Sequence, residues 1–263
     1  MLRIARTIVE SPYAAIRAVE CTDDHAGWSA PEAASAAQVV LVRQGRFRLD
    51  CQGRQVTVEP TSGYLNRPGE VLRFAHPAGG DLCTSVTYIG DELTAGLEAA
   101  RPPAVRVDAR LELAHRMLLR TGADPGFAAV EAVLELLWLA LRSAPDELPA
   151  PGRAELADRA REAILASESA GAGLVELARL LDASPSHLSR TFRHHVGMPL
   201  SRYRNRVRVS QALIRIDQGE TDLAALAAGL GFSDQAHFSR VMRSELGRTP
   251  GRVRSLLGPT PLR

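Results

Sequence analysis

The first ninety residues alternate apolar and polar positions in the way that β-strands do. From Phe47 to Cys51 every second residue is apolar and the residues between are charged, while residues 38–42 form a short apolar run. Glycine and proline punctuate the segment, with turns expected at Gln52-Gly53 and Pro68-Gly69. Short strands separated by such turns predict a β-sandwich or a small barrel.

From about Asp91 the apolar spacing changes to three and four residues, which indicates helices. One helix carries Leu111, Ala114 and Leu118 on a single face, and a second is predicted from Phe127 to about Arg142. The short connection between them implies an antiparallel pair. The second helix is apolar on more than one side, and this surplus can pack either on the barrel or on another subunit.

These patterns divide the chain into four predicted segments. A β domain covers residues 1–90, and a helical segment suited to dimerisation covers residues 91–143. Residues 144–152 hold three prolines without periodicity and are the predicted linker. Residues 153–257 are predicted to be wholly helical. The fold class is therefore α+β multidomain.

Two parts of the last segment repeat each other at an offset of 49 to 50 residues. The matched pairs are Ser184 with Ser233, His187 with His237, Ser189 with Ser239, Arg190 with Arg240, Arg193 with Arg243 and Gly197 with Gly247. Each copy predicts a short helix, a tight turn and a second helix, which is a helix-turn-helix. Ser184 and Ser233 are the predicted N-caps of the second helices, and Gly231 is expected to allow the sharp turn of the second copy.

The second helix of each copy presents a polar face that suits the DNA major groove, which admits one α-helix. The candidate DNA-binding residues are Ser186, His187, Ser189, Arg190, Arg193, Gln235, Ala236, His237, Ser239, Arg240 and Arg243. Arginine can bond guanine with two hydrogen bonds, and short polar groups can reach other base edges or phosphates. The two histidines either contact bases or support the turns.

An arginine-rich helix is predicted between the copies, over residues 200–217. Its 18 residues would span roughly 27 Å. A helix of this length would hold the two second helices about one DNA turn apart, near 34 Å. Arginines on it that touch phosphate should contribute to the salt dependence of binding.

Charge supports a nucleic-acid partner for the C-terminal part. The chain has no lysine; residues 1–152 carry 15 arginines and 19 acids, whereas residues 153–263 carry 17 arginines and 11 acids. The most apolar stretch is shorter than a membrane span and contains two glutamates, and no export signal is recognised. The three cysteines are therefore expected to be reduced thiols in a cytoplasm.

The repeat also carries a resemblance to a known family. "HLSRTFRHHVGMPLSRYRNRVRVSQALIRI", followed by "LAALAAGLGFSDQAHFSRVMRSELGRTPGRVR", resembles the AraC/XylS-type transcription regulators, and the likeness extends from about Arg159 to Arg254. By this resemblance, contact with bases or the DNA backbone falls on Ser186, Ser189, Arg190, Gln235, Ala236, Ser239 and Arg240. Val253 departs from the pattern, because the family usually has an aromatic residue there, and this concerns packing of the last helix.

The resemblance implies an effector-responsive regulator rather than an enzyme. Residues 1 to about 90 would form a cupin-like barrel that binds an effector of unknown identity, and the following helices would pair two subunits. The implied partners are double-stranded promoter DNA and a second copy of the chain, with RNA polymerase as a further candidate. The implied location is the bacterial cytoplasm, at the nucleoid, without a membrane.

Two sets of residues are candidates for a site inside the barrel. The aromatic candidates for a ligand pocket are Trp28, Phe47, Tyr64, Phe74 and Tyr88. Cys21, His25, His76 and Cys83 offer two sulfurs and two nitrogens, a set that suits zinc if the two Cys/His pairs meet in space. The usual cupin metal signature, two histidines one residue apart with a glutamate following, is absent.

Two alternative functions follow from these residues. One is a metal-binding or enzymatic cupin fused to a DNA-binding module, although no nucleophile with a base or carboxylate pair stands out. The other is a DNA-repair protein of the methyl-transfer type. That class couples a similar DNA-binding module to a four-cysteine zinc site, and this chain has three cysteines.

Overall fold

The computed structural model describes residues 3–22, 27–76, 79–90, 94–95, 97, 104–120, 127–142, 155–166 and 173–258. The chain separates into two compact units, Met1–Leu148 and Pro149–Arg263. The predicted linker at residues 144–152 and the ligand candidate His25 lie outside the described residues.

The described strands of the first unit form two antiparallel sheets. Their bounds are β1 Arg3–Glu10, β2 Ala14–Cys21, β3 Glu32–Ala33, β4 Gln38–Gly45, β5 Phe47–Cys51, β6 Arg54–Val58, β7 Ser62–Asn66, β8 Val71–Ala75, β9 Asp81–Tyr88 and β10 Ala104–Arg106. One sheet has the order β1-β2-β9-β4-β7-β10 and the other β3-β8-β5-β6. The predicted cupin-like β domain is confirmed.

The alternating pattern of β5 arises because one face of the strand is directed to solvent and the other to the space between the two sheets. Phe47, Leu49 and Cys51 are buried in that space together with Tyr64 and other apolar residues of both sheets. Arg48 points outward and is exposed. The period of two read in this segment therefore marks a strand with one buried face.

The apolar run of β4 has a different cause, because this strand is buried on both faces. Val40 and Val42 face the space between the sheets, whereas Val39 and Leu41 belong to a second core on the outer face of the six-stranded sheet. A strand covered on both faces shows continuous apolar sequence instead of alternation.

Two helices supply the cover for that outer face, α1 (Ala109–Leu118) and α2 (Phe127–Arg142). Their residues Leu111, Leu118 and Leu136 share the second core with the sheet. The apolar surplus of α2 thus packs mainly on the barrel, as one of the two alternatives predicted. In the segment predicted to be helical, β10 was missed, since three residues are too few for a strand pattern.

The second unit is helical throughout its described residues. Its helices are α3 Glu155–Ala166, α4 Leu174–Leu180, α5 Pro185–Val196, α6 Leu200–Asp217, α7 Leu223–Gly229, α8 Gln235–Leu246 and α9 Pro250–Leu257. The helix α6 has the predicted 18 residues. It packs against α3 and α5, which precede it, and against α8 and α9, which follow it. Val253 is fully buried in α9 without the aromatic ring usual in the family. No helix of the described segments has the length and apolarity needed to cross a membrane.

Both helix-turn-helix copies turn through a residue with positive φ. In the second copy this is Gly231, at φ +70°, as the sequence predicts. In the first copy the matching residue is Asp182, at φ +53°, a conformation that non-glycine residues adopt at some cost. The second helices α5 and α8 both end at glycines in the left-handed conformation, Gly197 and Gly247.

A buried histidine on α1 makes the first unit sensitive to acid. Burial, followed by the charges of Arg116 and Arg43, lowers the pKa of His115 to about 3. Below pH 6.5 the unfolded chain binds a proton that the native chain does not, so stability falls as the pH drops from 6.5 towards 3. We expect wild type to lose about 1.4 kcal/mol per pH unit more than His115→Gln in this window.

Urea unfolding monitored by tryptophan fluorescence measures this difference in the first unit, because Trp28 and Trp138 both belong to it. His194→Gln is the control, since this exposed histidine lies in the second unit and should leave the slope unchanged. Equal slopes for wild type and His115→Gln would contradict the lowered pKa of His115.

The turn of the second copy depends on glycine. Gly231→Ala places a Cβ on a residue at φ +70° and should destabilise the second unit by about 1 kcal/mol. Gly251→Ala is the matched control, since a Cβ there meets nothing within 4 Å and the residue lies in α9. Thermal unfolding followed by far-UV circular dichroism should show a lower midpoint for Gly231→Ala alone.

Candidate nucleic-acid interface and interior cluster

The helix α5 is fixed by its cap and by its buried face. Ser184 is the N-cap, and its hydroxyl accepts a hydrogen bond of 3.2 Å from the backbone N–H of His187. Leu188 and Phe192 are fully buried, and the ring of Phe192 meets that of Tyr203 on α6 edge to face at 5.2 Å. The opposite face of α5 is left to solvent.

The cap of α8 differs from the prediction. Asp234, not Ser233, is the N-cap, and its carboxylate accepts a hydrogen bond of 2.6 Å from the N–H of His237. The extra residue in the second copy moves the capping position from offset 49 to offset 50. That hydrogen bond, and next the one from the Ser233 hydroxyl, hold the pKa of Asp234 below its usual value. The prediction that Ser233 is the cap was wrong.

The structure places the predicted DNA-binding residues of each copy on one side of its second helix. Exposed members are Ser186, His187, Arg190, Arg193, Gln235, Ala236, Arg240 and Arg243, and partly buried members are Ser189, His237 and Ser239. The buried stripes, Leu188 with Phe192 and Phe238 with Met242, lie on the opposite side. Contact of the exposed set with DNA stays a prediction.

The two histidines have different surroundings. The ring of His237 lies edge-on to Phe232 at 5.4 Å, and its Nδ1 is 3.2 Å from the hydroxyl oxygen of Ser233. His237 therefore supports the turn of the second copy. His187 is exposed on α5 and remains a candidate for contact with bases.

Two of the five arginines of α6 are directed into the protein. Arg206 and Arg208 are buried, and the guanidinium of Arg208 lies 5.2 Å from the centre of the Phe232 ring. Burial, and then the charge of Arg204, lowers the pKa of Arg208 to about 10. The expected contribution of α6 arginines to phosphate binding does not hold for this buried pair, while Arg202 is exposed. The sequence could not separate these residues, because all are arginine.

The interior of the β unit contains three aromatic rings that lie close to one another. Phe47, Tyr64 and Phe74 lie with their ring centres 6.0 to 6.2 Å apart and line a cavity of about 20 Å³. These three of the predicted pocket residues line the cavity, and their contact with a ligand stays a prediction. Trp28 is instead stacked by Arg48, at 5.0 Å, and Tyr88 belongs to the core under the helices. A cavity of this size has room for a water molecule or a single ion.

Polar side chains line the same cavity. Nδ1 of His76 lies 2.5 Å from Oδ2 of Asp81, and the thiol of Cys83 donates a hydrogen bond of 3.1 Å to the other carboxylate oxygen. Cys21, His76 and Asp81 each bring one donor atom within 4.8 Å of the others. Burial, followed by the charge of Asp81 and its hydrogen bond, raises the pKa of Cys83.

The structure thus brings together three of the predicted ligand candidates, Cys21, His76 and Cys83, and adds Asp81. Asp81 was not predicted from the sequence, because it follows a glycine pair and has no spacing typical of a metal ligand. Only the strand register places it, since Cys21 of β2 lies opposite Asp81 of β9. A Cβ on Gly80 would lie 2.6 Å from the Cys21 carbonyl oxygen, so glycine allows this close approach.

Comparisons with known proteins match both units. A family model described as AraC-like ligand binding domain matches residues 18–183, and one described as helix-turn-helix domain matches residues 177–255. The arabinose operon regulatory protein of Escherichia coli (strain K12) is 32% identical over 82 residues, which are 31% of this chain and 28% of that protein. The HTH-type transcriptional activator RhaR of Klebsiella pneumoniae is 30% identical over 132 residues, 49% of this chain and 47% of that protein.

Among solved structures, ToxT from Vibrio cholerae O395 aligns with 95% of this chain and 99% of its own, at a TM-score of 0.41 and 9% identity. The chain spans less than half the length of the curated relatives described above. The family is decided by the ligand-binding model, which covers more than half of the chain. Together with the adjoining helix-turn-helix match, it shows that this chain belongs to the AraC-like family.

Proposed function

We propose that this protein is a sequence-specific, effector-responsive transcription regulator that grips double-stranded promoter DNA with two helices. One observation carries the proposal: two capped helices, α5 and α8, each turn a matched polar face to solvent while one helix, α6, packs against both copies. The relatives described above bear the names of an operon regulatory protein and a transcriptional activator.

Base recognition would rest on Arg190 and Arg240. They occupy the same position of their helices, six residues after the N-caps Ser184 and Asp234, and both are exposed. A guanidinium can donate two hydrogen bonds to guanine in the major groove, which a shorter or non-planar group cannot reproduce. Nearby short side chains, such as Ser186 and Ala236, leave the helix free to approach the bases closely.

The spacing of the two contacts would be set by α6. The 18 residues of α6 would span about 27 Å. Because α5 and α8 pack near its two ends, their separation would approach one DNA turn. The buried arginines of α6 would stabilise its packing and would not contact DNA. Arg208, for example, stacks on Phe232, which lies in the turn before α8. One chain would then contact two successive major-groove segments on one side of the duplex.

A homodimer is the second element of the proposal. On the exposed side of α2, Leu134 and Trp138 are apolar and 43% and 55% accessible. Glu131 lies three residues before Leu134 and Arg142 lies four residues after Trp138, so an antiparallel copy would place opposite charges next to each other. The protein would act in the bacterial cytoplasm, at the nucleoid, with RNA polymerase as a further partner.

Arginine substitutions test the DNA-binding face. Once bound sites have been mapped across the genome, Arg190→Ala and Arg240→Ala should each weaken binding to such a site by about 1–3 kcal/mol. Each substitution should reduce the sequence preference mainly at one base pair of the site, because a bidentate contact discriminates against other bases at that position. Fluorescence anisotropy with a matrix of single-base variants measures both effects.

The control is Arg17→Ala, which removes the same charge from an exposed position on β2. It should leave affinity and sequence preference near those of wild type. If both Arg190→Ala and Arg240→Ala bound like wild type, the DNA-reading face would lie elsewhere.

The dimer is tested on α2. Trp138→Glu should raise the dimer dissociation constant by roughly thirtyfold or more, in line with the loss of a central aromatic anchor. Val175→Glu is the control, since this exposed apolar residue lies in the second unit. Sedimentation velocity over a concentration series measures the change, and an unchanged dimer in Trp138→Glu would place the subunit contact elsewhere.

A further inference from the structure

The interior cluster of the β unit has the composition of a metal site. Its donors are a thiol, an imidazole nitrogen and a carboxylate oxygen, supplied by Cys21, His76 and Asp81, all within 4.8 Å of one another. All three side chains are almost completely buried. We propose that these three residues bind one Zn²⁺ ion inside the β unit, and that Cys83 is a positioning residue for Asp81. The proposal does not depend on DNA binding.

The donor set selects the class of metal. Mg²⁺ and Ca²⁺ take oxygen ligands, whereas a set of sulfur, nitrogen and oxygen donors is typical of Zn²⁺. The ordinary Zn–S, Zn–N and Zn–O distances of about 2.0 to 2.3 Å separate neighbouring ligand atoms by roughly 3 to 4 Å. The Nδ1–Oδ2 distance of 2.5 Å between His76 and Asp81 would widen by less than about 1 Å to admit the ion.

Charge also favours a divalent ion. A Cys21 thiolate and the Asp81 carboxylate carry two negative charges, which one Zn²⁺ neutralises while the imidazole stays neutral. A buried charge is costly unless it is paired or coordinates a metal, so a neutral centre suits this interior. The cavity of about 20 Å³ that these residues line has room for a single ion.

The surrounding residues hold the donors in place. The ring of His76 lies 5.2 Å from the Phe47 ring and 6.4 Å from the Phe74 ring, centre to centre. Cys83 donates its S–H to Oδ1 of Asp81, which fixes the carboxylate and leaves Oδ2 towards the histidine. Such outer partners typically change metal affinity by about 10- to 100-fold when they are removed.

The two cysteines are placed for metal binding better than for a disulfide. Asp81 lies directly opposite Cys21, so Cys83 is the diagonal neighbour of Cys21 across the β2–β9 pair. Diagonal neighbours have Cα atoms about 7–8 Å apart, beyond the usual Cα separation in a disulfide. A bond between the sulfurs would require the strands to move, whereas an ion needs only small side-chain adjustments.

The experiment uses the full chain, freed of metal with a chelator and kept reduced with a phosphine. Titration with Zn²⁺ in competition with a chromophoric chelator should give one ion per chain. Co²⁺ should give a tetrahedral spectrum with a sulfur-to-cobalt band from one thiolate. If wild type takes up neither ion stoichiometrically, or Co²⁺ binds without a thiolate band, the proposal is overturned.

Variants assign the ligands. Cys21→Ser should abolish the sulfur-to-cobalt band, and Asp81→Asn should lower Zn²⁺ affinity at least tenfold. Cys83→Ala should keep the band while binding Zn²⁺ about 10- to 100-fold more weakly, because the donor to Asp81 is lost. Cys83→Ser, whose hydroxyl can still donate to Asp81, should restore the affinity, which a purely structural role would not predict. Cys51→Ser is the matched control, because this third buried cysteine lies outside the cluster and should bind like wild type.

Folding of each variant is checked by circular dichroism, and the wild-type titration decides the proposal even if a variant fails to fold. Zn²⁺ should also raise the unfolding midpoint of wild type and Cys51→Ser, since a ligand that binds the native state stabilises it. A Cys51→Ser variant that lost the ion, or a Cys21→Ser variant that kept the thiolate band, would overturn the assignment.

Discussion

The packing of one helix against both copies of the repeat is the constraint on which the second unit depends. The helix α6 buries residues along its whole length, from Leu200 and Tyr203 near its start to Leu213 and Ile216 near its end. Because the first half of this helix shares a core with α3, α4 and α5, and the helix also packs against α8 and α9, neither copy can shift along it without opening its own contacts. The hydrophobic packing around α6 therefore fixes the distance between α5 and α8, and with it the distance between their polar faces.

This arrangement explains why arginine serves two purposes in the second unit. On α5 and α8 it is exposed and available to a polyanion, while on α6 Arg206 and Arg208 are almost fully buried. Arginine tolerates such burial because its planar, weakly hydrated guanidinium can stack on an aromatic ring, as Arg208 does on Phe232. The positive charge of the C-terminal part thus overstates the charge available to DNA.

The sequence predicted those parts of the structure that have a local physical cause. The period of two in β5, the 18-residue length of α6 and the turn at Gly231 all follow from side-chain spacing and backbone freedom. The cap of α8 was misplaced by one residue, since Ser233 and Asp234 are both good capping residues and only the helix start decides between them.

What the sequence could not supply was the pairing of distant strands. Asp81 joins Cys21 and His76 only through the register of β2 with β9 and the close approach allowed at Gly80. Likewise, β10 is recognisable only by its pairing with β7. The same limit applies to the arginines of α6, because their burial depends on which helices pack around them.

The strand β9 belongs to two interiors at once. Asp81, Cys83 and Ser85 face the cavity between the sheets, and Val86 and Tyr88 face the core beneath α1 and α2. Its neighbours β2 and β4 hold it on both edges. A slip of one residue would exchange the two sets, directing the thiol and carboxylate into the helix-covered core and valine and tyrosine towards His76. The same hydrogen-bond register therefore fixes both the polar cluster and the sheet surface on which α1 and α2 pack. A change in the register would disturb both.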